Sequence, residues 1–153
     1  RALNIRDARE VSVHLLRRLI AIIGEASIEY ADHNIAPGSD GLSGHAVAFT
    51  DKLVILADLK DAPIKPTDDR GPSTVRVDVW ARNTLDRLEL PAGDGAGSDW
   101  AWNEEWNGPW PRDGRLGLVY RNGKQLRLPL EPNGSKDREV DTLLRALVRD
   151  LTG

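Results

Sequence analysis

The C-terminal stretch restricts the fold more than any other part of the chain. In residues 137–151, DREVDTLLRALVRDL, the apolar residues Val140, Leu143, Leu144, Leu147, Val148 and Leu151 recur at helical spacing. Arg138, Glu139, Asp141, Arg145, Arg149 and Asp150 fill the other side. A helix with one apolar stripe cannot bury it alone, so the chain must supply a flat apolar surface to receive it. The segments before it read as strands, and they are the expected receiver.

The clearest strands lie in residues 115–130, where LGLVY and QLRLPL flank Arg121–Lys124. Asn122-Gly123 suits the positive φ values of a type I′ hairpin turn. Leu116, Leu118 and Tyr120 form one face, and Leu126, Leu128 and Leu130 the apolar face of the opposing strand. Pro129 places that strand at an edge or at its end. Upstream, HAVAF and LVILADL join through Thr50-Asp51-Lys52, and Leu53 to Leu56 is apolar on both faces, as in a central strand. Residues 74–80 alternate, with Val75, Val77 and Val79 opposed to Arg76, Asp78 and Trp80. Residues 86–90 form a further short strand, with Leu88 and Leu90 on one face. Residues 25–44 and 60–73 read as loops, and Ser135 as the cap of the last helix. Short connections make a meander rather than βαβ units. The expected fold is α+β: an antiparallel meander of six to seven strands, as a partly closed barrel or sandwich, capped by a C-terminal amphipathic helix.

An N-terminal helix is expected over Asp7–Gly24, with Asp7 as cap and Gly24 as stop. Val11, Leu15, Leu19 and Ile22 form one apolar line, and Leu16, Ile20 and Ile23 a second. So wide an arc admits two readings: packing within the molecule, which is favoured, or a homodimer seam through residues 7–23. The expected division is a helical arm and linker at residues 1–36 and a β body with its helix at 44–151.

The 153 residues suffice for a sizeable core. With no Cys there is no disulfide, thiolate metal site or Cys nucleophile. With no Met, the chain is expected to be a processed product or a piece of something longer. No window approaches the roughly 20 apolar residues of a membrane span, so membrane contact is not expected and a cytoplasmic location is. A net charge of −3 argues against general nucleic-acid binding.

A strand meander closed by one amphipathic helix resembles the bacterial pleckstrin-homology-like domain family. The resemblance is carried by AVAFTDKLVIL, STVRVDVWARNTLDRLEL, LGLVYRNGKQLRLPL and DTLLRALVRDL, over roughly residues 44–151. It implies a docking or scaffold module. Phosphoinositide-binding members use a basic cluster in the first hairpin loop, where this chain has only Lys52 beside Asp51.

The segment richest in recognition chemistry is residues 98–114, SDWAWNEEWNGPWPRDG. It holds four of the five Trp, Trp100, Trp102, Trp106 and Trp110, with Asp99, Glu104, Glu105 and Asp113 against one Arg112. Indoles beside carboxylates suit a cation, a Lys/Arg-bearing peptide or sugar hydroxyls. Alternatively, some of the Trp cover a sheet end while the acids keep the loop solvated. The candidate binding residues are Trp100, Trp102, Glu104, Glu105, Trp106 and Trp110. Two of the acids could cleave a glycoside only if held roughly 5 to 10 Å apart, and no such motif is visible. His33 and His45 with an acid could hold a metal, but their spacing matches no ligand pattern. No catalytic residue, metal or cofactor is therefore expected. A docking domain is favoured; the alternative is a small carbohydrate-binding protein or glycoside-processing enzyme with its cleft at residues 98–114.

Overall fold

A computed structural model of the chain describes residues 18–19, 21–38, 41–62, 75–90, 115–130 and 137–153. It divides into two compact units, Arg1–Ala81 and Arg82–Gly153. The architecture is α+β, with two antiparallel sheets and a C-terminal helix, as the patterning predicts.

The first unit is built on five strands: β1 (Tyr30–His33), β2 (Ala36–Pro37), β3 (Leu42–Phe49), β4 (Leu53–Ala62) and β5 (Val75–Ala81). Their order is β1-β3-β4-β5, with β2 also on β3. β4 is central, as its two-sided apolar run requires; Val54 and Ile55 point to opposite faces and both are buried. Thr50 shapes the β3–β4 turn: its hydroxyl accepts from Leu53 N at 2.9 Å and Lys52 N at 3.2 Å, while its own N–H donates to Leu53 O at 3.0 Å.

In this sheet the differences from expectation have physical causes. Residues 25–44, read as loop, contain β1 and β2, so eight strands are present among the described residues rather than six or seven. β1 is four residues long, and most of its burial comes from Tyr30, whose ring meets Phe49 edge-on at 5.9 Å. So short a strand leaves little alternation to read. β3 starts at Leu42 and β4 runs on to Ala62, into the segment assigned to the loop, because Leu42 pairs with Ala62 across a bulge between Leu42 and Gly44. Gly44 has φ +136°, and a Cβ there would fall 2.7 Å from Asn34 O.

One face of this sheet carries Leu42, Ala48, Ile55, Ala57, Leu59 and Val75, which cluster with Leu19 of the N-terminal helix. Ile22, Ile23 and Ile28 pack against them. The Arg18 guanidinium donates to the Val75 carbonyl. Gly24, at φ +55°, ends the helix in the left-handed region, as its position predicts. The rest of the expected helix lies outside the described residues, as does Ser135.

The second unit contains a 3-10 turn (Arg82–Thr84), β6 (Leu85–Glu89), β7 (Leu116–Tyr120), β8 (Gln125–Leu128) and α1 (Asp137–Thr152), with sheet order β6-β7-β8. Leu85, Leu116, Leu118, Tyr120, Leu126 and Leu128 are buried on one sheet face. Val140, Leu143, Leu144 and Leu147 are the buried stripe of α1, which packs over β6 and the 3-10 turn. The stripe is shorter than its sequence period: Val148 at its margin and Leu151 in the last turn are exposed. β6 ends at Glu89, leaving Leu90 exposed, and a bulge between Leu85 and Arg87 puts Leu85 beside Leu88 on the apolar face.

The β7–β8 turn differs in type. Gly123 has φ +85° but Asn122 is not in the positive region. Gly123 N donates to Tyr120 O at 3.0 Å and Tyr120 N to Lys124 O at 2.9 Å. This is a three-residue connection with glycine in the left-handed position, which also matches strand twist. β8 ends directly before Pro129 and is an edge strand.

Leu147 is fully buried and Val148 is 46 % exposed. In urea unfolding, Leu147→Ala is expected to cost about 3 kcal/mol; Val148→Ala should stay within about 0.5 kcal/mol.

Candidate functional site

Residues 98–114 belong to the connection from β6 to β7, and the structure defines how that connection is mounted. Leu88 pairs with Leu118 and Glu89 with Gly117, so the chain leaves and returns on neighbouring strands. Glu89 lies over Gly117: a Cβ there would sit 3.1 Å from Glu89 Cβ and 3.2 Å from Oε2. Arg87 holds the same carboxylate at 2.9 Å. On the returning side, Arg115 donates from Nε to Pro129 O at 3.1 Å and from Nη2 to Leu130 O at 2.7 Å. Both feet of the connection are therefore tied to the three-stranded sheet. Trp100, Trp102, Glu104, Glu105, Trp106 and Trp110 themselves lie outside the described residues. Trp80, the remaining Trp, is half-buried on β5.

A second polar region lies on the face of the five-stranded sheet opposite Leu19. Register sorts this face into three cross-strand rows. Tyr30, Phe49, Val54 and Trp80 form the first, and Asp32, Val47, Leu56 and Asp78 the second. His45, Asp58 and Arg76 form the third. Burial falls from the first row to the third, whose residues are all exposed. His45 Nε2 lies 3.5 Å from Asp58 Oδ1, with the side chains 49 % and 59 % exposed. Arg76 Nε lies 3.5 Å from Asp78 Oδ1. Asp32 is held within its own strand, by the Tyr30 hydroxyl at 3.2 Å and the His33 N–H at 2.8 Å.

His33 pairs with Ala46, one step from His45, so β-alternation sends the two imidazoles to opposite faces. The structure thus does not bring together the two histidines considered as metal ligands. Among the described residues, no group of three His, Asp or Glu is placed to hold a metal ion. His14 lies outside them. No helix among them is long and apolar enough to cross a membrane.

The site that sequence reasoning missed is internal to the second unit. Arg82, in the 3-10 turn, reaches Asp150 near the end of α1: Nε to Oδ2 is 2.8 Å and Nη2 to Oδ1 is 3.4 Å, with the side chains only 9 % and 12 % exposed. Tyr120 is buried beside this pair. Burial and then the Asp150 charge push its phenol well above the usual range, against the opposing influence of Arg82. The phenol stays neutral at ordinary pH. In sequence, Asp150 is one more polar residue on the outer side of a helix, and Arg82 one more charge in a turn. Their 68-residue separation leaves no local signal.

Compared with known protein families, curated proteins and solved structures, the chain matches none.

Removing one partner of a buried ion pair strands the other charge. Asp150→Ala is expected to cost about 3 kcal/mol, and Arg82→Met with Asp150→Leu markedly less; chemical unfolding of the variants checks both. The raised Tyr120 phenol also sets a sign. The unfolded state releases this proton near the ordinary value of 10.0 while the folded state keeps it. Stability is therefore intact below that pH and falls as pH rises through it. Tyr120→Phe should remove that part of the alkaline loss in unfolding curves taken at increasing pH.

Proposed function

We propose that the chain is a non-enzymatic docking or scaffold domain of the pleckstrin-homology-like kind, binding its partner through Trp100, Trp102, Glu104, Glu105, Trp106 and Trp110. The observation that carries this is the mounting of residues 98–114. A hairpin connection is ordinarily a few residues; one running from residue 90 to 115, between strands paired up to Glu89 and Leu116, is the kind that holds a function. The tied feet at Glu89, Gly117 and Arg115 supply a fixed base for it. Two antiparallel sheets followed by one amphipathic helix support the kinship.

The ligand of best-matched chemistry is a protein segment carrying Lys or Arg. Carboxylates attract it over a distance, and indole faces hold the cation once it is partly desolvated. The open His45–Asp58 pair is solvated on a sheet face, where a polar pair of this kind contributes little. Self-association through residues 7–23 belongs to the same proposal, although Leu19, Ile22 and Ile23 already turn to the sheet.

Trp fluorescence of the full chain, titrated with a Lys/Arg peptide and with neutral oligosaccharides, tests the reading. The peptide should shift the emission, salt should weaken the response, and Glu104→Gln with Glu105→Gln should weaken binding about tenfold. A response to sugars alone would replace docking by carbohydrate binding, and no response to either ligand would remove the loop's role. A chain that stays monomeric at all concentrations in light scattering would remove self-association.

A further inference from the structure

Among the described residues, β5 is the longest sheet edge and the least protected. It pairs with β4 over seven residues without a bulge and holds neither Pro nor Lys. The other edges are blunted: β1 spans four residues, β6 carries a bulge and β8 stops before Pro129. Hydrogen bonding alternates along a strand, and the β3–β4 turn fixes its phase. Thr50 N donates to Leu53 O, so Leu53, Ile55, Ala57 and Leu59 serve β3, while Val54, Leu56 and Asp58 serve β5 through Trp80, Asp78 and Arg76. Val75, Val77 and Val79 therefore direct their N–H and C=O away from the sheet. The Arg18 guanidinium on the Val75 carbonyl agrees with this phase. Among the described residues no strand pairs with β5 on that side, and Val79 is 41 % exposed.

We infer that the β5 edge pairs with the β5 edge of a second copy of this chain, antiparallel about a two-fold axis at Val77. Only an extended backbone matches a row of outward N–H and C=O groups, and the charges of the strand itself select the register. Outward residues must meet outward residues, which puts the axis through a residue rather than between two. An overlap of five or more of the seven strand residues leaves Val77, Asp78 or Val79 as that residue. An axis at Asp78 opposes two aspartates, and one at Val79 sets Asp78 against Trp80. An axis at Val77 sets each Arg76 directly opposite the partner's Asp78, in the non-hydrogen-bonded pairs where side chains come closest. Val77 then meets the partner's Val77, and Val75 the partner's Val79; the Val75 carbonyl keeps a second lone pair beside Arg18. Arg76 already lies 3.5 Å from Asp78 of its own strand and pairs in register with Asp58 on β4. Its side chain is nevertheless 73 % exposed, and its five donors admit a further carboxylate. The contact is isologous and closes at two copies. It uses neither residues 7–23 nor residues 98–114, so it stands or falls apart from both.

Light scattering of the full chain over a concentration series should show a dimer. Val77→Pro removes one outward N–H and leaves the bonds to β4 in place, so it should abolish the dimer and keep the circular dichroism spectrum. Arg76→Asp and Asp78→Arg should each weaken association about tenfold, and the two variants mixed should recover it, since each supplies the charge the other lost. In hydrogen exchange, the Val77 and Val79 amides should be protected only at dimer-forming concentrations, and the Asp78 amide at every concentration. A chain monomeric throughout, a mixture no tighter than its components, or Val77 and Val79 amides protected equally at every concentration would each overturn the inference. So would a dimer that survives all three substitutions, as one through residues 7–23 would.

Discussion

The second unit depends on one burial event. A three-stranded sheet with one apolar face must bury that face against another element, and an isolated helix of this length is marginal in water. Val140, Leu143 and Leu147 remove the exposed side of both at once. The Arg82–Asp150 pair then fixes where along the sheet the helix stops, since two charges so well enclosed tolerate little displacement from one another. Apolar burial supplies the driving force, and the ion pair supplies the register.

In the first unit the ordering principle is graded burial along paired strands. The row of Tyr30, Phe49, Val54 and Trp80 is apolar or aromatic throughout. The next keeps Val47 and Leu56 between two aspartates, and the last is polar from strand to strand. In the first and last rows each β3, β4 and β5 residue therefore meets a neighbour of matching polarity. A register slip of one residue would set Phe49 and Val54 against the wrong face, which specifies the pairing strongly.

Features written in local spacing were legible from the sequence. The α1 stripe, the central character of β4, the alternation of β5, the glycine stop at Gly24 and the edge position of β8 all follow from periods of 2 or 3.6 or from one backbone restriction. What escaped depends on partners distant in the chain. β1 and β2 are strands because β3 extends past them. The turn at Asn122-Gly123 fits two hairpin geometries that share the same glycine, so composition could not choose between them. Val148 and Leu151 obey the helical period but lie beyond the reach of the sheet. For the candidate site, composition marked residues 98–114, whereas the tied base beneath them depends on Gly117 and Arg115, which no motif announces.

The connections also divide the entropic cost of folding unevenly. β3 meets β4 through Thr50, Asp51 and Lys52, and β7 meets β8 through an equally short turn. Closing such loops costs little chain freedom, and hairpins of this kind assemble in about microseconds. Bringing β6 to β7 means closing residues 90–115 first, and α1 gains its full platform only afterwards. The two tight hairpins thus surrender the least chain freedom on closing, and the long excursion between β6 and β7 makes their pairing a costlier closure than either.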